Sequence, residues 1–462
     1  MIGFDMIEHA LPARVLPLCL AALALGCGTD AAPVDEADGT ESAGTETGPA
    51  SPQSAQSEVP RNLTPSPSTA ELEQMRLGER AFAHELYGEV SATEVEAGDN
   101  LILSPYCLRS AFGMSWAGAV EATETEMAEV LRFDLGQAPT HEVMNYVDLA
   151  LADRNDVGDE DNPPIILLSN NRFFVHFDFP VLDSYLDVLA ENYGADVKLV
   201  DFREGEPSRQ QINQWVSDKT QERISELLPP SSIVDLSPLG GTVSVLVNTL
   251  YLKAPWAEAF PDSATAPAPF TLRDGSQTSV AMMRQDAVSV GYALVDGFEV
   301  VDLPLREGQL SLTLILPPVD SDALDTWLDP EQLEAIEDGL VTTHVELRLP
   351  RFEIEPEASL ALRSSFMSLG MEAPFGGGFD NAYPGGGVFI DDIYHQVFFA
   401  VDEAGVEGAA ATAIVNGLGF TPSEPPTAEY SVTFDRPFLL LLRDRDTGTM
   451  LFMGRVTQPT PA

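Results

Sequence analysis

Apolar side chains return at helical spacing in four stretches of the chain. Phe82, Leu86 and Val90 recur every four residues over 77–90, and Leu108, Ala111, Phe112, Ser115 and Ala119 line one face over 105–119. The same period runs through 180–193 and 207–218. Short apolar runs of strand length occupy 243–252, 298–303, 310–316, 345–354, 396–402, 438–443 and 450–456. Helices lead and strands dominate the second half, so the pattern predicts an α+β fold. After residue 75 no further composition break appears, which favours one large domain.

Before that domain the pattern changes twice. Residues 12–26 form an apolar run too short to span a bilayer, as in an export signal. The run ends in Leu23-Ala-Leu-Gly-Cys27, which resembles a bacterial lipoprotein cleavage box and makes Cys27 the candidate lipidation site. Residues 28–75 lack any aromatic residue and are rich in Ser, Thr, Pro and acids. Such a stretch buries too little apolar surface to fold. The expected organisation is a signal segment at 1–27, an acidic linker at 28–75 and a folded domain at 76–462. The protein is then exported, and either anchored to a bacterial membrane through lipid alone or released outside the cell.

Charge and cysteine content exclude several functions. The chain carries 73 acids and 24 bases, a formal net charge of −49. Such a surface repels nucleic acid. Of three cysteines, Cys19 lies in the removed segment and Cys27 is the lipid site, so Cys107 has no disulfide partner. Cys107 reads as a small apolar filler. No nucleophile elbow, phosphate loop or His-Glu-x-x-His helix occurs, and the six histidines do not pair at metal spacing. No catalytic residue, metal or cofactor is expected. At 443–448, Arg-Asp-Arg-Asp-Thr-Gly lacks the closing Glu of a calcium loop and reads as a hairpin turn.

One segment fits no ordinary loop. Residues 403–414 read Glu-Ala-Gly-Val-Glu-Gly-Ala-Ala-Ala-Thr-Ala-Ile, between the apolar run ending at Val401 and strand-like Tyr430–Phe434. A connection that long inside a domain is uncommon and usually functional. Its small side chains can also enter a pleated sheet without conflict. Around it stand Asn100-Leu-Ile-Leu-Ser-Pro105, Asn171-Arg-Phe-Phe174, Ile212-Asn-Gln-Trp-Val216, Leu246-Val-Asn-Thr-Leu-Tyr-Leu-Lys253, Leu349-Pro-Arg-Phe352, Phe434-Asp-Arg-Pro-Phe438 and Leu451-Phe-Met-Gly-Arg455. In this order the set resembles the serpins, the serine-protease inhibitor family, from residue 76 onward.

The resemblance implies a large central sheet, two smaller sheets, about nine helices and a long exposed reactive loop. It implies a monomer that forms a covalent complex with a serine-type, or by the same acyl chemistry a cysteine-type, protease. The loop hinge is then Glu403, Gly405, Val406, Glu407, Gly408, Ala409, Ala410, Ala411 and Thr412. On insertion Val406, Gly408, Ala410 and Thr412 share one face, and Glu407, near the entry end, is expected to point outward. Family spacing puts the scissile bond in the window Leu418, Gly419, Phe420. No Lys or Arg occurs between 404 and 435, so chymotrypsin-, elastase- or subtilisin-like enzymes are favoured over trypsin-like ones. Ser104, Asn248 and His395 match the cluster beneath the opening sheet, with a His395–Asn248 bond expected to hold two strands together. The region matching a basic heparin-binding helix, 140–161, has one Arg and several acids, so no heparin is expected. The sequence departs from the family at Glu222, where Gly is usual, and at Val406, where Thr or Ser is. The competing reading is a surface protein that keeps the fold only for binding or as a scaffold.

Overall fold

The computed structural model describes residues 57–158, 163–319, 321, 323–407 and 426–459. Among them are eight α-helices and two single-turn 3-10 segments, against the nine or so helices implied. The first helix, Thr69–Thr93, begins at a reciprocal cap: Ser68 accepts from the Glu71 N–H and the Glu71 carboxylate accepts from the Ser68 N–H. Met75, Phe82, Leu86 and Val90 form its buried stripe. The boundary expected at 75/76 therefore lies too late. Residues 57–75 belong to the folded body: polar and proline-rich composition hid a segment held by hydrogen bonds over 57–66 and by Leu72 and Met75 packed on the core. Helix Pro105–Trp116 starts with proline at its first turn behind the Ser104 cap, where a missing N–H costs nothing.

Strand Phe438–Asp444 shows why the second half is so apolar. Its Leu439 and Leu441 enter one hydrophobic cluster and its Phe438, Leu440 and Leu442 the other. Both faces are buried, so an alternating pattern would have failed there. It pairs with Leu310–Leu316 on one side and Met450–Val456 on the other, within a nine-stranded sheet. The two smaller sheets implied by the sequence share one 19-residue strand, Gln277–Val295, and run together as this single ladder.

The large central sheet has six strands, in the order Phe352–Ile354, Phe399–Val401, Gly405–Val406, Ser244–Pro255, Ile166–His176 and Asp196–Val200. Helix Gly205–Lys219 packs on its Ile166–His176 and Ser244–Pro255 strands. Its third strand is two residues long. The candidate site is built around that short strand.

Candidate functional site

The chain leaves strand Phe399–Val401, turns at Asp402, and returns as Gly405–Val406 between two longer strands. The Asp402 carboxylate accepts from the N–H groups of Ala404 and Gly405 at 2.8 and 3.1 Å, which builds the turn. Val406 then pairs with Val401 on one side and Ala254 on the other, and Gly405 pairs with Pro255. Glycine is required here for space. A Cβ on Gly405 would lie 2.2 Å from the Ala254 carbonyl oxygen, and backbone cannot yield as a side chain can.

The turn is nailed down from outside. The Trp256 indole N–H donates to the Asp402 carbonyl at 2.9 Å, the Trp256 N–H to Ala404 O at 3.0 Å, and the Phe260 N–H to Glu403 O at 2.9 Å. The Glu403 side chain is buried, accepting from the Thr265 hydroxyl at 2.6 Å and from the Arg351 guanidinium. Burial pushes its carboxyl up, yet the Thr265 hydroxyl and Arg351 more than offset that and hold it below the usual carboxylate range.

Glu407 lies just past the end of this short strand. It is 4% exposed and ion-paired with Arg223, whose guanidinium also lies 4.6 Å from the centre of the Phe398 ring. Its φ is +59°, the left-handed region that a non-glycine residue enters only at a cost. The strand ends at Val406, with Glu407 in a left-handed bend.

Below Val406 the two flanking strands have no direct ladder among the described residues. A cleft lies there instead, lined by Thr220, Ile224, Leu250, Leu252, Phe399 and Phe452. Arg223 stands at its mouth, just past a turn in which Gln221 and Glu222 have φ of +52° and +65°. That backbone explains why glycine is the usual residue at 222.

Under the cleft sits the second cluster. His395 is buried, and its Nε2 accepts the Ser104 N–H at 3.0 Å. Burial pushes the imidazole down to about 4, so it stays neutral. The Ser104 hydroxyl donates to Leu451 O at 2.7 Å and accepts from the Cys107 N–H. The expected His395–Asn248 bond is absent among the described residues. The Asn248 amide donates instead to Asn171 Oδ1 at 2.8 Å, and its own Oδ1 has no partner. The structure thus brings Ser104 and His395 together and leaves Asn248 on the neighbouring strand, bonded sideways.

A family model described as "Serpin (serine protease inhibitor)" matches residues 78–459. The chain belongs to the serpin family. Relatives include antithrombin-III of Mus musculus, 32% identical over 82% of this chain and 80% of that one. Another is the leukocyte elastase inhibitor of Sus scrofa, 30% identical over 84% of this chain and 100% of its own. Among solved structures, human thyroxine-binding globulin complexed with its hormone superposes with a TM-score of 0.70 at 23% identity, over 84% of this chain and all of that one. This likeness shows the shared fold.

Several parts of the serpin site escaped sequence reasoning. Arg223 and Thr265 pair with residues far away in sequence, whereas Asp402 caps a turn only two and three residues on, a local signal that was overlooked. Arg351 stands inside the Leu349–Phe352 motif, where its charge beside an apolar strand was the available clue. Gly408, Ala409, Ala410, Ala411, Thr412, the window Leu418–Phe420 and Cys27 lie outside the described residues. Cys107 is buried and its thiol is pushed up to about 12, as befits a core filler rather than a nucleophile. Among the described residues no group of three His, Cys, Asp or Glu is placed to hold a metal, and no helix is long and apolar enough to cross a membrane.

Proposed function

We propose that this serpin inhibits serine-type proteases with chymotrypsin-, elastase- or subtilisin-like pockets, by trapping them as it inserts its own cut loop. The observation that carries the reading is the Gly405–Val406 strand, already hydrogen-bonded between the two strands that flank the cleft. It is a preformed nucleus for a longer strand.

The chemistry runs as follows. The protease serine oxygen attacks the carbonyl of the bait bond, the C–N bond breaks, and the amine leaves as the new N-terminus of the C-terminal fragment. The loop stays esterified to the enzyme. Freed at one end, the segment from Gly408 onward continues the strand that Gly405 begins. A dozen new ladder bonds at about 1 kcal/mol each supply on the order of 10 kcal/mol. That work displaces the protease before water attacks the ester. The native state is then held by a barrier rather than by being lowest in free energy.

The deciding experiment is a denaturing gel after mixing with chymotrypsin or subtilisin. A covalent band at the summed mass is expected, with a small C-terminal fragment beginning after Leu418, Gly419 or Phe420. Ala411→Arg should abolish the band while leaving the loop cleavable, since an unpaired Arg in the sheet slows insertion. Absence of any complex with this class of enzyme would leave the binding or scaffold reading in its place. We further propose export and lipid anchoring at Cys27. Cys27→Ser should then move the protein from the membrane fraction to the soluble one.

A further inference from the structure

We infer that residues 57–67 are an intramolecular ligand of the helix pair 137–152 and 183–193, a strap that restrains the half of the central sheet which has to move during insertion. This rests on the insertion reading above.

The strap crosses two helices and makes polar contacts with both. The Ser57 hydroxyl donates to Asp187 at 2.6 Å, and the Asn62 N–H donates to the Glu191 carbonyl at 3.0 Å, both on helix Asp183–Tyr193. Arg61 donates to Asn145 at 2.9 Å and to Asp148 at 2.6 Å, and the Ser66 N–H to Glu142 at 3.0 Å, all on helix Gln137–Ala152. The decisive residue is Asn145, which is fully buried. Its amide nitrogen donates to the Asn62 carbonyl at 2.6 Å, and its oxygen accepts from Arg61. Without the strap this amide loses the one partner its oxygen has among the described residues and the shorter of its nitrogen's two bonds. A groove whose buried polar groups are satisfied by one segment is built for that segment.

The placement gives the strap a job. Widening the cleft moves Ser244–Pro255, Ile166–His176 and Asp196–Val200 aside by about one strand spacing, ~4.8 Å. Helix Asp183–Tyr193 lies in the connection between the last two and travels with them. The strap continues through Ser68 into helix Thr69–Thr93, which packs on helices Pro330–Gly339 and Arg363–Ser368, on strand Met450–Val456 of the other sheet, and on helix Gln137–Ala152 itself. The strap therefore adds, through Ser57 and Asn62, a tie to helix Asp183–Tyr193 from a helix anchored in the rest of the molecule.

The test compares the full chain with Arg61→Ala and with a version starting at Pro67. Two readouts are used. One is the rate at which the heated protein converts to a form that no longer unfolds in urea, which needs no protease. The other is amide exchange across 183–200. Both variants should convert at least about tenfold faster, as expected when a charged hydrogen-bonded contact is lost. They should also exchange faster over 183–200. A synthetic peptide of residues 55–66 added to the truncated protein should restore slow exchange. If conversion never occurs in any version, the insertion reading fails and exchange alone judges the strap. Unchanged exchange over 183–200 in both variants, or a peptide without effect, overturns the proposal.

Discussion

The two large sheets of this serpin have opposite characters. In the nine-stranded sheet, Phe438–Asp444 is paired over 438–443 on one edge and 439–444 on the other, and buried on both faces. In the central sheet, two strands of comparable composition are held together at the top by two residues, above an apolar cleft. One sheet has nothing left to gain. The other has unmade ladder bonds at its centre. The contrast separates where the protein keeps its stability from where it keeps its capacity to change.

The largest test of that division is Leu441→Ala. Leu441 is fully buried and faces the larger hydrophobic cluster. Truncating it should cost about 3 kcal/mol through lost transfer energy and the remaining cavity. The midpoint of urea unfolding should fall accordingly, while the fraction of protease trapped per cut stays the same. A loss of trapping at unchanged stability would mean that the two sheets do not divide the labour.

His395 tests the central sheet through pH. Its folded value is about 4, below the usual 6.5, because burial opposes the charged form. The unfolded state binds the proton first as pH falls. Stability from the neutral imidazole is thus complete above about 6.5 and drains away down to about 4, by roughly 3 kcal/mol in all. Replacing it in His395→Gln should remove that share of the dependence. The stability difference between wild type and variant, followed by urea unfolding, should therefore shift by about this amount between pH 7 and pH 4. A constant difference would show that His395 keeps its charge state on folding.

Much of this was legible in the sequence, and the failures share a cause. Helix Pro105–Trp116 and strands Leu310–Leu316 and Phe438–Asp444 follow from period and composition, which are local properties. The strap at 57–67 was invisible because its stabilisation is polar and comes from helices at 142–148 and 187–191. The partner of Glu407 was hidden for the same reason, since Arg223 is supplied by a turn 184 residues earlier. The Asn248 bond was expected from a resemblance, and here Asn171 competes for that amide.

Gly405→Ala probes the short strand itself. The added methyl would meet the Ala254 carbonyl oxygen at 2.2 Å, so the hinge has to leave the sheet. Only two paired residues are lost, and the native protein should weaken by about 1–2 kcal/mol. Trapping should suffer more, because insertion then starts without its nucleus. Titration against chymotrypsin should show several molecules cleaved for each one trapped. A one-to-one titration would mean that the preformed strand is incidental.

Arg223→Ala should give the smallest change. The guanidinium is half-exposed, with 47% of its side chain open to water, so its pairing with Glu407 contributes at most about 1 kcal/mol. Stability should hardly move. Yet the pair fixes Glu407 in the left-handed bend that turns the chain at the mouth of the cleft. Insertion has to convert that bend to extended backbone. Freed of Arg223, Glu407 should make the change more readily, and the trapping step should quicken by a few fold in rapid-mixing experiments. Added salt, which screens the pair, should bring the wild type toward the variant's rate. If Arg223→Ala instead slows trapping, the arginine guides the entering strand rather than holding it back, and the bend at 407 belongs to the insertion path.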